Sequence, residues 1–170
     1  MVSLAASETD ERLQRARAAI ADVSDPEIPV LTLGDLGVIR DIGLEEGGII
    51  EVTITPTYSG CPAMKVMEFD LATALAKAGF AEARIRTALA PAWTTDWMSE
   101  AGKEKLRAYG IAPPAGKASR RALFGAETAL TCPRCGSGKT TKISEFGSTA
   151  CKAQWRCDAC LEPFDAFKCI

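Results

Sequence analysis

The chain has 170 residues, a formal net charge of −2, 47% hydrophobic and 25% charged residues, seven cysteines and no histidine. This suits one ordinary globular domain plus a small appendage, and the near-neutral charge gives no whole-chain reason to expect nucleic acid or an anionic membrane as partner. The missing histidine excludes a Ser-His-Asp triad, a Cys-His nucleophile, a two-His-one-carboxylate iron site and Glu-x-x-His di-iron ligation, so redox or hydrolytic chemistry centred on this chain is not expected.

Glu8, Asp10, Glu11 and Arg12 interrupt the N-terminus before any apolar stretch long enough for a signal peptide. No later run approaches the roughly 20 apolar residues that span a bilayer. The expected location is the cytoplasm, with no membrane partner. Ser7 followed by Asp10 has the pattern of a helix start, after which Leu13, Ala16 and Ile20 share one helical face. Asp25-Pro-Glu-Ile-Pro29 ends that helix, since neither proline fits a helix interior. A strand over 38–44 and the turn Glu45-Glu-Gly-Gly48 lead into a second strand. There Ile50, Val52 and Ile54 alternate with Glu51, Thr53 and Thr55, which predicts an antiparallel hairpin.

Pro62 suits the first position of a second helix. Met64, Met67, Leu71 and Leu75 supply its apolar stripe and Gly79 its end. A third strand over 83–89, the loop Pro91-Ala-Trp-Thr-Thr-Asp-Trp-Met98 and a last helix closed by Gly110 complete an α-β-β-α-β-α order. The fold class is α+β: a compact sheet with helices packed on it, followed by a small β ribbon. Ile111-Ala-Pro-Pro-Ala-Gly-Lys-Ala-Ser-Arg-Arg121 reads as a semi-extended linker. The expected organisation is a domain over 1–112, a linker over 113–130 and a ribbon over 131–170.

Six of the seven cysteines lie in the last 39 residues. In a reducing compartment such a cluster reads as metal ligation before disulfides. Cys132-Pro-Arg-Cys135 and Cys157-Asp-Ala-Cys160 are two Cys-x-x-Cys knuckles, 21 residues apart. Facing each other, they satisfy tetrahedral Zn²⁺ in a closed site, which makes the metal structural. It is also needed, because about 40 residues cannot bury enough apolar surface to fold unaided. Cys₄ sets also bind iron–sulfur clusters, but the ferredoxin runs Cys-x₄-Cys-x₂-Cys and Cys-x₂-Cys-x₂-Cys are absent. Cys151 and Cys169 exceed a four-sulfur site and read as small buried residues under the ribbon. Phe146, Trp155, Phe164 and Phe167 are expected to form its core.

Cys61, in Ser59-Gly-Cys61-Pro62, falls at the expected N-cap of the second helix. Unpaired N–H groups and the helix dipole there stabilise a thiolate able to attack or to lend a ligand to a transiently held metal. The plainer alternative is a packed cap residue. Asp25 and Glu27 similarly read either as acids that end a helix or as neighbours of that thiol, and Trp93 and Trp97 as core aromatics.

Asp25-Pro-Glu27, Asp35-Leu-Gly37, Thr55-Pro-Thr57, Gly60-Cys-Pro62 and Pro91-Ala-Trp-Thr-Thr-Asp-Trp-Met98 occur together and in order, a set that resembles the MIP18-like (DUF59) family associated with iron–sulfur cluster assembly. The likeness covers about residues 12–110 and implies a working site at Cys61, Asp25, Glu27 and Thr57, with a transient iron–sulfur cluster or iron as cargo. Cys132-Pro-Arg-Cys-Gly-Ser137, Ser144-Glu-Phe-Gly-Ser-Thr-Ala-Cys-Lys152, Pro163-Phe-Asp165 and Phe167-Lys-Cys169 extend the resemblance to the family of D subunits of phenylacetyl-CoA epoxidase systems, which join such a domain to a zinc ribbon. That implies a motif role for Cys151 and Cys169.

In those systems a di-iron oxygenase epoxidises the ring of phenylacetyl-CoA, and a flavin and iron–sulfur reductase supplies electrons. This chain lacks the Glu-x-x-His pattern of the first, and the ferredoxin cysteine run and Gly-x-Gly-x-x-Gly of the second. The resemblance therefore implies an accessory, non-enzymatic role in maturing a partner's cluster or metal centre. Its expected partners are the reductase or oxygenase and iron–sulfur assembly proteins. A stably bound structural or regulatory subunit is the alternative. Nucleic-acid binding through Lys139, Lys142, Lys152 and Arg156, with Trp155 stacking, is disfavoured by the charge.

Overall fold

The structure, a computed structural model, describes residues 2–115 and 130–168. Most of the expected linker, and Cys169, lie outside the described residues. The elements run in the expected α-β-β-α-β-α order, followed by three strands. They fall into two units, Met1–Ala92 and Trp93–Ile170.

In the first unit, helix α1 (Val2–Ile20) buries Ala16 and Ile20, with Leu13 half-buried on the same face. It starts at Val2 rather than at Ser7, because Leu4, Ala5 and Ala6 ahead of Ser7 are good helix formers and nothing there stops the chain. Strands β1 (Ile39–Leu44) and β2 (Ile50–Ile54) pair antiparallel, and β3 (Arg84–Thr87) joins β2 in parallel, giving the order β1-β2-β3. A parallel neighbour needs a crossover, and helix α2 (Met64–Lys77) supplies it, burying Met67, Leu71 and Leu75. Ile50, Val52 and Ile54 are all buried, as their alternation demands. Thr53 and Thr55, expected on the polar face, are buried too; Thr53 meets its polar need by accepting a hydrogen bond from the Arg86 guanidinium at 2.9 Å.

In the second unit, helix α3 (Glu100–Tyr109) is capped by Ser99, whose hydroxyl accepts the Gly102 N–H at 2.9 Å. Strands β4 (Thr140–Ser144), β5 (Lys152–Cys157) and β6 (Pro163–Phe167) form an antiparallel meander. Ala112 extends this sheet at β6, its N–H donating to Asp165 and its carbonyl accepting from Phe167, both at 2.9 Å. The chain following α3 is thus bound into the ribbon's sheet. Ala112, Leu130, Ala153, Trp155, Phe164 and Ala166 build a small core around Cys132 and Cys157. Phe167 is buried beside Trp93, ring centroids 5.9 Å apart. Phe146, expected in that core, is instead 71% exposed on the β4–β5 connection, with the Lys168 ammonium 4.6 Å from its ring. No described helix is long and apolar enough to cross a membrane.

Candidate functional site

The candidate residues of the first unit sit on two loops at one end of its sheet. β2 leaves the sheet at Ile54, opposite Ile39 at the start of β1, and the Thr55 N–H donates to the Val38 carbonyl at 2.9 Å. The 55–63 connection, with half-buried Thr57 and Cys61, therefore begins where the 25–38 loop ends. That loop is tied down by Val38 N–H to Leu33 at 3.0 Å and Leu33 N–H to Val23 at 2.8 Å. The C-terminal end of a strand in a parallel pair is the usual place for a binding crevice.

Asp25 is buried, and its Oδ1 accepts the N–H groups of Glu27 at 2.8 Å and Ile28 at 2.7 Å. The acid thus builds its own turn, as a short carboxylate after a helix readily does. Asp35 and Thr32 lock the next turn reciprocally: each side chain accepts the other's N–H, at 3.1 and 3.0 Å.

Cys61 is not the N-cap of α2. That position belongs to Ala63, and Pro62 and Ala63 form a turn ahead of the helix. The Cys61 N–H donates to Tyr58 at 3.2 Å and its carbonyl accepts from Met64 at 3.4 Å, so it closes the preceding turn instead. Asp25, Glu27 and Cys61 form no metal-type cluster among the described residues.

The cysteine quartet does form one. The ligand atoms of Cys132, Cys135, Cys157 and Cys160 all lie within 4.8 Å of one another. Four Zn–S bonds of about 2.3 Å arranged tetrahedrally require sulfur–sulfur edges of about 3.8 Å. The Cys132–Cys160 and Cys135–Cys157 sulfurs are 3.9 and 3.5 Å apart, one pair crossing each way between the knuckles. The donor set fits a thiophilic divalent ion such as zinc, and these four residues would hold it in a closed site that fixes the ribbon.

The two knuckles share one backbone design. Cys132 N–H donates to Ser137 and Gly136 N–H to Cys132; Cys157 N–H donates to Glu162 and Leu161 N–H to Cys157, all at 2.9 Å. Without a metal the thiols conflict. N–H groups of Cys160 and then Ala159 lower the Cys157 thiol to about 6. The Glu162 N–H also lowers Cys160, but desolvation and the sulfurs of Cys157, Cys135 and Cys132 outweigh it and push that thiol up to about 12. A divalent cation at the centre removes this opposition to joint ionisation.

The β4–β5 connection holds a polar network that sequence reasoning missed. Gly147 approaches so closely that a Cβ there would lie 2.7 Å from Asp165 Oδ1 and 3.2 Å from the backbone carbon of Lys152. Ser148 donates to Asp165 at 2.7 Å, and buried Lys152 reaches the same carboxylate at 3.9 Å. The Gly-Ser-Thr run after Phe146 was the available signal. Cys151, the last residue of this connection, is buried, its sulfur 3.0 Å from the Thr149 hydroxyl.

Nucleic-acid readout gains no support. Trp155 is 6% exposed, Lys142 pairs with Glu145 at 2.9 Å, and Arg156 pairs with Asp158 at 3.3 Å.

Residues 13–89 match the family model described as iron-sulfur cluster assembly protein, and residues 116–168 match the PaaD zinc beta ribbon domain. An Escherichia coli (strain K12) protein named as the D subunit of 1,2-phenylacetyl-CoA epoxidase is 51% identical over 154 residues, covering 90% of each chain. The chain belongs to the PaaD family, the D subunits of phenylacetyl-CoA epoxidase systems. The family likeness carried by the Asp25-to-Met98 motifs and the ribbon motifs is thereby borne out.

Among relatives of the first unit, the Fe-S protein maturation auxiliary factor YitW of Bacillus subtilis (strain 168) is 32% identical over 89 residues, covering 52% of this PaaD-family chain and 86% of that one. An Fe-S protein maturation auxiliary factor of Porphyromonas gingivalis (strain ATCC BAA-308 / W83) is 33% identical over 94 residues, covering 55% and 86%. The crystal structure of a DUF59 domain from Bacillus anthracis shares the fold over 59% of this chain and 96% of its own, with a TM-score of 0.55 at 24% identity.

Proposed function

We propose that this chain is a cytoplasmic accessory subunit of a phenylacetyl-CoA epoxidase system, acting in maturation of the iron–sulfur cluster or metal centre of the reductase or oxygenase, without a redox centre of its own. The observation that carries the reading is the joining, in one chain, of an iron–sulfur assembly match over 13–89 to a PaaD ribbon over 116–168. Cys61 is the working thiol, half-buried on the loop leaving β2. Asp25, Glu27 and Thr57 shape the neighbouring loops, and a cluster or iron is transient cargo there. The ribbon quartet holds one structural zinc. The missing histidine agrees with a chain that does not itself activate oxygen.

A second reading, a stably bound structural component of the oxygenase complex, is favoured by the relative's being named as a subunit. Purification through a tag on the oxygenase separates the two. Maturation predicts substoichiometric recovery of this chain, together with loss of partner activity when the chain is absent during expression. Fixed stoichiometry, with activity lost when the chain is stripped away and regained when it is added back, would favour the second.

A further inference from the structure

The four sulfurs are not equivalent. Cys132 and Cys157 are 1% and 0% exposed and belong to the ribbon core with Leu130, Trp155 and Phe164. Cys135 and Cys160, the second cysteine of each knuckle, are both exposed. Each cross-knuckle sulfur contact joins one buried cysteine to one exposed cysteine, Cys132 to Cys160 and Cys157 to Cys135. The residues at one edge of the sulfur tetrahedron are therefore exposed, and those at the opposite edge are set into the core.

We propose that Cys132 and Cys157 anchor the ribbon's structural metal while Cys135 and Cys160 form an exchange edge, the side from which a thiophilic divalent cation is loaded and from which an outside ligand can compete for it. This rests on the reading of the quartet as a metal holder. An incoming thiol or chelating ligand can reach the ion along the exposed edge alone. As its donor atom binds, an outer sulfur departs and takes a proton from water. Three protein ligands with a water in the fourth position are a stable arrangement for zinc, so loss of an outer sulfur leaves the ion held. Loss of an inner sulfur is different, because it removes a core residue together with a ligand, and metal binding here is coupled to folding.

The test compares full-length Cys135→Ser, Cys160→Ser, Cys132→Ser and Cys157→Ser proteins. Metal content, zinc transfer to excess 4-(2-pyridylazo)resorcinol and far-ultraviolet circular dichroism are the readouts. The outer variants are expected to purify with close to one zinc per chain and unchanged dichroism, and to transfer zinc about tenfold faster or more. The inner variants are expected to lose stoichiometric zinc and the ribbon's strand signal. In the zinc-loaded wild type, iodoacetamide should modify Cys135 and Cys160 before Cys132 and Cys157. Equal loss of zinc from all four variants, or alkylation in any other order, overturns the exchange edge. A wild-type protein purified with no bound metal would instead overturn the metal reading beneath it.

Discussion

Gly136 and Leu161 occupy the same place in the two knuckles: both have left-handed backbones, with φ of 74° and 64°, and both donate their N–H to the first cysteine of the knuckle at 2.9 Å. Glycine takes that conformation at little cost, whereas an L side chain costs about 1–2 kcal/mol there. Leu161 is 71% exposed, so no burial offsets the cost. Glycine's extra freedom in the unfolded chain returns about 0.5–1 kcal/mol. Leu161→Gly is therefore expected to stabilise the zinc-loaded ribbon by about 0.5–1 kcal/mol. A denaturant melt checks this, and a loss of stability would show that the leucine makes a contact outweighing its strain.

Gly147→Ala should act in the opposite sense. The added methyl would meet Asp165 Oδ1 at 2.7 Å, and that carboxylate is held by Ser148 and faces Lys152. Nearby backbone at 3.2 Å cannot yield easily. An overpacking cost of about 1–3 kcal/mol is expected, and a shift below about a tenth of that range in a denaturant melt would contradict the close approach.

Asp25 separates architecture from chemistry. Asp25→Ala strands the Glu27 and Ile28 N–H groups and is expected to cost about 1–3 kcal/mol. Asp25→Asn keeps the accepting oxygen, so it should cost less. If Asp25→Asn is stable yet fails to support epoxidase activity in cells, the charge itself has a task. Full support would confine the residue to building its turn.

The domain boundary is tested by fragments. Residues 1–112 expressed alone are expected to stay folded, because the sheet of the first unit is complete at Thr87. Residues 1–92 should show the same urea midpoint, since α3 and Ala112 group with the ribbon. A markedly less stable 1–92 fragment would assign α3 to the first unit.

The element order was legible because each element carried its own period. Ile50, Val52 and Ile54 alternate at a spacing of two, while Met67, Leu71 and Leu75 recur at four. The paired knuckles were legible because a short turn fixes where two sulfurs must point. Three features were not. Apolar character alone does not tell which side of a connection a ring faces, so the exposed position of Phe146 was not legible. Helix α2 starts at Met64 rather than at Pro62 because proline suits a preceding turn as well as a first helical residue. The Gly147–Asp165–Lys152 network joins residues 18 apart at its ends, and no local period records such a contact.

The central claim is that the chain matures a metal centre in a partner, with Cys61 as the working thiol. The direct measurement is iron and acid-labile sulfide per molecule of the epoxidase reductase, purified from cells that lack this chain, carry it, or carry Cys61→Ala. Maturation through Cys61 predicts a cluster-deficient reductase without the chain, restoration by the wild type, and little restoration by Cys61→Ala, although that variant keeps its fold and ribbon zinc. A reductase with its full complement of iron and sulfide, together with an oxygenase with its full complement of iron, in all three cells would contradict it.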